Sequence, residues 1–205
     1  MSGFSDEKMY TFIKGFAIGA NLKETLISLS FAREKHKSQM RKSGQPYIIH
    51  PLTMASHAIS IGITDDNTLA MILLHDTVED CGISLADLPN SEIVKKGVSL
   101  LTFSIMEGET KEIAKRRYYN SLLDMKEVVL SKLLDRCHNV SSMAGTFSEE
   151  KLKEYIVETR EYVLPLIKKS KEKYPELTNT LFALKYHINS VIDSIENTLK
   201  SNHTA

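Results

Sequence analysis

Leu73-Leu74-His75-Asp76-Thr77-Val78-Glu79-Asp80, followed by Cys81 and Gly82, is the stretch on which the reading of this chain turns. The run Thr68 to Ile72 leads into it and a glycine closes it, so the pattern predicts the C-terminal half of a helix. On that helix His75 and Glu79 stand one turn apart, as do Asp76 and Asp80, so adjacent rows of one face carry four titratable groups. Leu73, Leu74 and Val78 mark the far side as buried. Three carboxylates and an imidazole at the edge of a core cost on the order of several kcal/mol in desolvation, which a divalent cation among them would offset.

Outward from this stretch the chain reads as helix after helix. Met9, Phe12, Ile13, Phe16 and Ala17 recur at three-and-four spacing between Ser5 and about Ala20, and Leu26, Leu29, Ala32 and Arg33 do so between Leu22 and Gln39. Arg41 to Pro51 holds a glycine and two prolines and is expected to be a loop ending at Pro51, the first position of a third helix that stops at Gly62. Asp65 or Asp66 then caps the helix that carries the opening motif. Beyond it, Ser84 to Pro89 reads as a short turn and Ser91 to Phe103 as a helix, while Thr102 to Glu109 has no clear period. Helical spacing returns over Lys111–Asp124, Lys126–Ala144, Ser148–Lys173 and Pro175–Lys200. Nothing alternates at period two, so the fold class is all-α.

The 205 residues, 42% hydrophobic, suffice for a full core and are most economically one domain over residues 1–205. Lys plus Arg equals Asp plus Glu at 26 each, so no global field draws nucleic acid or an anionic membrane, and any anionic ligand must be caught by a local cluster. No apolar run approaches the roughly 18 residues of a spanning helix, and Met1 to Tyr10 lacks the basic start and apolar centre of a signal peptide. A cytoplasmic protein is expected. Cys81 and Cys137 are too few for a disulfide framework and read as ordinary reduced thiols.

Two further segments bear on the first. The loop from Arg41 to His50 sets two cations and the Ser43 hydroxyl a short way before a histidine lodged between Ile49 and Pro51. In Lys132-Leu133-Leu134-Asp135-Arg136-Cys137-His138-Asn139, Asp135 and Asn139 share one helical row amid Leu130, Leu133 and Leu134, and an aspartate in such a run needs a partner. Jointly, His50, His75, Asp76 and Asp135 offer two imidazoles and two carboxylates. That mixed set suits Mn²⁺, Fe²⁺ or Zn²⁺ better than Ca²⁺ or Mg²⁺.

Arg41-Lys42-Ser43-Gly44-x-Pro46-Tyr47-Ile48-x-His50-Pro51, then Leu74-His75-Asp76-x-Val78-Glu79-Asp80, then Lys132-Leu133-x-Asp135-Arg136-x-His138-Asn139 closely resembles the HD-type hydrolase domain of the RelA/SpoT alarmone proteins. The resemblance covers a motif core of about residues 32–167, with C-terminal helices over 148–200, and is to the single-domain small alarmone hydrolases. It implies an all-helical HD bundle, one Mn²⁺, and removal of the 3′-pyrophosphate from ppGpp or pppGpp to give GDP or GTP and pyrophosphate. By the same resemblance, His50, His75, Asp76 and Asp135 hold the metal and Glu79 and Asp80 act on the attacking water. Arg41, Lys42, Ser43, Asn139 and Tyr155 contact the nucleotide. The partner is then a small nucleotide, with neither nucleic acid nor membrane. Two positions depart from the family pattern: Val140-Ser141-Ser142 stands where an arginine is customary, and Ser38 where a glycine is usual. The alternatives are an HD phosphohydrolase acting on another phosphorylated nucleotide such as NADPH, and a nucleotide-binding regulatory module without catalysis.

Overall fold

The computed structural model describes residues 5–202, and residues 1–4 and 203–205 of the expected domain lie outside the described residues. Among the described residues there is no strand, only an isolated antiparallel bridge between Met40 and Pro46. By internal packing the chain forms two compact units, one up to Lys132 and one from Leu133 onward.

The first unit is built around one short helix. In order it holds α1 (Asp6–Gly19), α2 (Lys23–Lys35), α3 (Ile49–Ser60), α4 (Asp66–Leu74), α5 (Thr77–Asp80), α6 (Glu92–Leu101), α7 (Lys111–Ser121) and the start of α8 (Lys126–Met143). Every residue of α4 from Thr68 to Leu74 is buried, because α2, α3 and α6 pack around it. A helix enclosed on all sides has no use for a polar stripe, and Leu69-Ala70-Met71-Ile72-Leu73-Leu74 has none. Gly97 eases the approach of α6, since a Cβ there would press on the Met71 thioether, which would have to move.

Adjacent aspartates divide the capping work. Asp65 caps α4 itself, accepting from the Thr68 N–H at 2.8 Å. Asp66 instead turns to α2, where the Glu24 and Thr25 N–H groups donate to its carboxylate at 3.0 and 2.8 Å. The residue before α2, Leu22, has no side-chain acceptor, so a partner distant in sequence satisfies those donors. This also ties the start of α2 to the start of α4.

Two expected boundaries shift. The third helix begins at Ile49, not Pro51, so His50 lies inside its first turn, where a following proline is still tolerated because its missing N–H has no intrahelical partner. The second helix ends at Lys35, short of Gln39, and the chain from Gln39 to Tyr47 folds back on itself. Tyr47 N–H donates to Gln39 O at 2.9 Å, Arg41 N–H to Gln45 O at 2.8 Å and Gly44 N–H to Arg41 O at 2.9 Å, with Gly44 at φ 78°. A left-handed residue at that corner favours glycine.

The second unit holds the rest of α8, then α9 (Glu149–Glu158), a π-helical turn over Thr159–Val163, α10 (Leu164–Lys173) and α11 (Thr178–Asn202). Its core joins Val140, Met143, Leu152, Ile156, Ile192 and Ile195, flanked by Phe147 and Tyr155. The expected single helix from Ser148 to Lys173 is therefore interrupted. Pro165 cannot donate to the turn before it, and the Thr159 hydroxyl donates to the Tyr155 carbonyl at 2.7 Å, so the ladder widens there. Buried Arg136 fixes the same turn: its Nη2 donates to Glu158 at 2.7 Å, its Nη1 to the Thr159 hydroxyl at 3.2 Å, and its guanidinium lies 4.0 Å from the centre of the Tyr155 ring.

Candidate metal centre

The opening motif is not one continuous helix. α4 ends at Leu74, His75 and Asp76 form a turn, and α5 restarts at Thr77. Side chains take the carbonyls that would have continued the ladder. His75 Nδ1 is 2.9 Å from Ile72 O, and the Thr77 hydroxyl donates to Leu74 O at 2.7 Å. The break bears on the chemistry, because a carbonyl can only accept. In the neutral ring the Nδ1–H therefore donates to Ile72, and Nε2 presents its lone pair outward.

His50 from α3 meets that lone pair. The two Nε2 atoms are 3.1 Å apart, Asp76 Oδ2 is 2.8 Å from His75 Nε2, and it is 3.6 Å from His50 Nε2. Donors cis to one another at the usual ~2.1 Å from an ion lie about 3.0 Å apart in an octahedron and about 3.4 Å apart in a tetrahedron. The three observed separations bracket both values. Two buried imidazoles and a carboxylate with 23% of its side-chain surface exposed thus present one face of a coordination sphere, with an open side for further donors. The residues present fit a divalent transition metal.

The surrounding groups hold that face from the loop side. Tyr47 Oη donates to Asp76 Oδ2 at 2.5 Å. Its ring stacks on His36 (4.8 Å between centroids) and meets His50 edge-on (5.8 Å). Burial, then the carboxylates of Asp76 and Asp80, push the phenol far above its ordinary pKa, so it stays a donor. Buried His36 lies 2.5 Å from Gln39 Oε1 through Nδ1, and burial lowers its pKa, which keeps it a neutral prop. The Gln39 amide in turn donates to the backbone of Asp80 at 2.7 Å.

Glu79 and Asp80 follow on α5, both exposed at the edge of the site. Enough protein crowds Glu79 that desolvation raises its carboxyl above the usual range, against a hydrogen bond from the Phe103 backbone N–H; Asp76 and Asp80 push in the same direction as burial, and Lys132 opposes them. Arg41, Lys42 and Ser43 form the turn before the site. Lys42 and Ser43 are exposed, and the Arg41 guanidinium is 6.0 Å from the Tyr47 ring centre.

Of the residues expected from sequence, His50, His75 and Asp76 are brought together, with Glu79 and Asp80 one turn on and the Arg41–Ser43 turn tied in through Tyr47. Asp135, Asn139 and Tyr155 belong to the second unit. There Asp135 is buried on α8 and accepts from the Asn139 side-chain amide at 2.5 Å, while Tyr155 lies over Arg136. From the sequence His36 reads as structural, as its buried contact with Gln39 bears out, while Tyr47 and Gln39 carried no assigned role. The available signal was an aromatic hydroxyl one helical turn before His50, next to Pro46.

Residues 28–162 match the family model described as HD domain. The chain is 38% identical over 147 residues to the guanosine-3′,5′-bis(diphosphate) 3′-pyrophosphohydrolase of Aquifex aeolicus, covering 66% of this chain and 20% of that protein. It is 35% identical over 144 residues to the bifunctional (p)ppGpp synthase/hydrolase RelA of Mycobacterium tuberculosis, covering 66% and 19%. The chain thus spans about a fifth of the length of these curated relatives. Among solved structures, a metazoan ortholog of SpoT that hydrolyzes ppGpp shares the fold with a TM-score of 0.65 at 22% identity, over 84% of this chain and 95% of that one.

Proposed function

Because the chain belongs to the HD-domain family, and its relatives include guanosine-bis(diphosphate) 3′-pyrophosphohydrolases, we propose that it hydrolyses the 3′-pyrophosphate of guanosine alarmones. Water attacks the 3′-diphosphate, the bond to the ribose oxygen breaks, and GDP or GTP leaves with pyrophosphate. The single observation that supports this best is the convergence of His50, His75 and Asp76 beside two acids and a cationic turn.

His50, His75 and Asp76 would hold a divalent ion, for which we propose Mn²⁺, and we carry Asp135 as the expected fourth donor on the strength of its sequence motif. When bound, such an ion lowers the pKa of water and offsets charge on a phosphoryl oxygen. The chain's own groups do the rest. Glu79, whose carboxyl is raised above its ordinary value by desolvation, orients the attacking water and accepts its proton. Asp80 beside it is the second acid–base or positioning group. Arg41 offers a planar guanidinium to the base, and Lys42 and Ser43 meet phosphate oxygens, as a nearly neutral protein requires of a local cluster. Asn139 and Tyr155 are the remaining proposed nucleotide contacts. No helix among the described residues is long and apolar enough to cross a membrane, and two free thiols suit a reducing compartment, so we propose the cytoplasm as its location.

The test is product identification with the full chain, Mn²⁺ and a panel of ppGpp, pppGpp and NADPH. Pyrophosphate with GDP from ppGpp is the expected outcome. Orthophosphate from NADPH alone would move the substrate to another nucleotide, and binding without turnover would leave only a regulatory module. Metal analysis of Asp76→Ala and Asp135→Ala proceeds alongside, and full metal content in either variant removes that residue as a ligand.

A further inference from the structure

We infer that Tyr47 is a positioning residue of the metal centre: its hydroxyl, donating to Asp76 Oδ2, holds that carboxylate facing His50 and His75 and makes the loop from Gln39 to Tyr47 a working part of the site. The inference rests on the metal-centre reading above and goes beyond the ligands themselves.

Asp76 needs such a support. It sits in the turn between α4 and α5, at φ −101° and ψ −4°, and its side chain caps neither helix. About a quarter of the side chain is open to solvent (23%), so rotation about its bonds would carry the carboxylate into water. In the neutral ring His75 cannot donate to it, because its N–H goes to the Ile72 carbonyl and its Nε2 turns a lone pair to the carboxylate. Tyr47 can. A carboxylate oxygen has two lone-pair directions, so one can accept from the phenol while the other faces a cation.

The phenol is itself fixed on three sides. Its ring lies between His36, which is 1% exposed, and the edge of His50. Its N–H closes the loop onto Gln39 O, and the Gln39 side chain reaches past His36 to the Asp80 backbone. The loop therefore grips the metal motif at two points, Asp76 through Tyr47 and Asp80 through Gln39. A residue needed only for packing would require the ring and not the hydroxyl, since the stacking and edge contacts are made by ring atoms alone.

Tyr47→Phe separates the two roles. Groups that hydrogen-bond to a metal ligand typically contribute about 10–100-fold to metal affinity. In calorimetric titration of the metal-free full chain with Mn²⁺, Tyr47→Phe is expected to weaken binding by that factor, with wild-type far-ultraviolet dichroism and a metal-free melting temperature lowered by less than the same free energy would predict. In turnover the loss should be regained at excess Mn²⁺, appearing as a raised metal requirement at unchanged kcat. Asp76→Ala, titrated in parallel, should bind no Mn²⁺. If Asp76→Ala loses the metal and Tyr47→Phe binds it as tightly as wild type, the positioning role is wrong and the metal centre stands. If both bind as wild type, the metal centre itself is wrong. A fall in the metal-free melting temperature of Tyr47→Phe matching its lost affinity would make the hydroxyl structural and overturn the inference.

Discussion

Replacing Arg136 by methionine removes a charge from the interior while leaving most of the volume of its stem. The guanidinium is 2% exposed and donates to Glu158 at 2.7 Å and to Thr159 at 3.2 Å, with the Tyr155 ring 4.0 Å away. A hydrogen bond to a charged group contributes about 1.5–3 kcal/mol. A desolvated cation over an aromatic face adds up to about 2 kcal/mol. The stranded partner moderates the loss, because the Glu158 side chain is 25% exposed and can turn to water. A net cost of about 3 kcal/mol follows, below the full penalty for an orphaned buried charge. For a chain of this size that lowers the melting temperature by about 6–12 °C. Thermal denaturation followed by circular dichroism measures it. A drop under about 2 °C would show that the pair does not hold the π-helical turn. Replacing both partners, Arg136→Met with Glu158→Met, should recover only the part of the loss that comes from Glu158 losing its partner, since the Thr159 and Tyr155 contacts are absent from both variants. If the double variant is as unstable as the single one, the cost is packing and not charge.

Three further outcomes are expected. Glu79→Gln should keep its Mn²⁺ stoichiometry yet lower kcat by about 10²–10⁴-fold, as the proposed role on water and not on the ion requires; undiminished turnover of ppGpp in steady-state assays would reject that role. Burial pushes the Cys137 thiol up to about 12, so a disulfide-exchange reagent at pH 8 should titrate Cys81 in the native protein and Cys137 only after denaturation, whereas equal native rates would contradict its enclosure on α8. Hydrogen bonds from Arg117 and then from the Met106 N–H hold Glu109 down at about 2. A depressed carboxyl contributes stability that is full above its ordinary value near 4.5 and is lost as pH falls through about 2, so the 106–117 clamp should persist at pH 3.5, and a Glu109 carboxyl resonance titrating near 4.5 would disprove it.

The parts of this protein that were legible in its sequence are those that obey local periodicity. Three-and-four spacing gave the helices of both units, the run from Leu69 to Leu74 announced a buried element, and the adjacency of His75 and Asp76 marked the chemistry. Where side chains compete with the backbone, the periodic reading went too far. Thr77 and His75 take carbonyls of α4 and break the expected helix at the motif itself, and Pro165 with Thr159 opens the expected helix after Ser148. Periodicity records which residues are apolar, not which hydroxyl or imidazole reaches a main-chain oxygen.

By itself the sequence determined the all-helical class, the donor types offered to a metal and the cations available to an anionic ligand, because these depend on composition and on spacing along one chain. Only the tertiary structure decided that His50 and His75, far apart in the chain, place their Nε2 atoms 3.1 Å apart, that Asp66 caps a helix other than its own, and that Tyr47 holds Asp76. Those contacts depend on how α3 packs against α4 and on how the Gln39–Tyr47 loop closes. Such packing is set by the shapes of many side chains at once, and no short stretch of sequence encodes it.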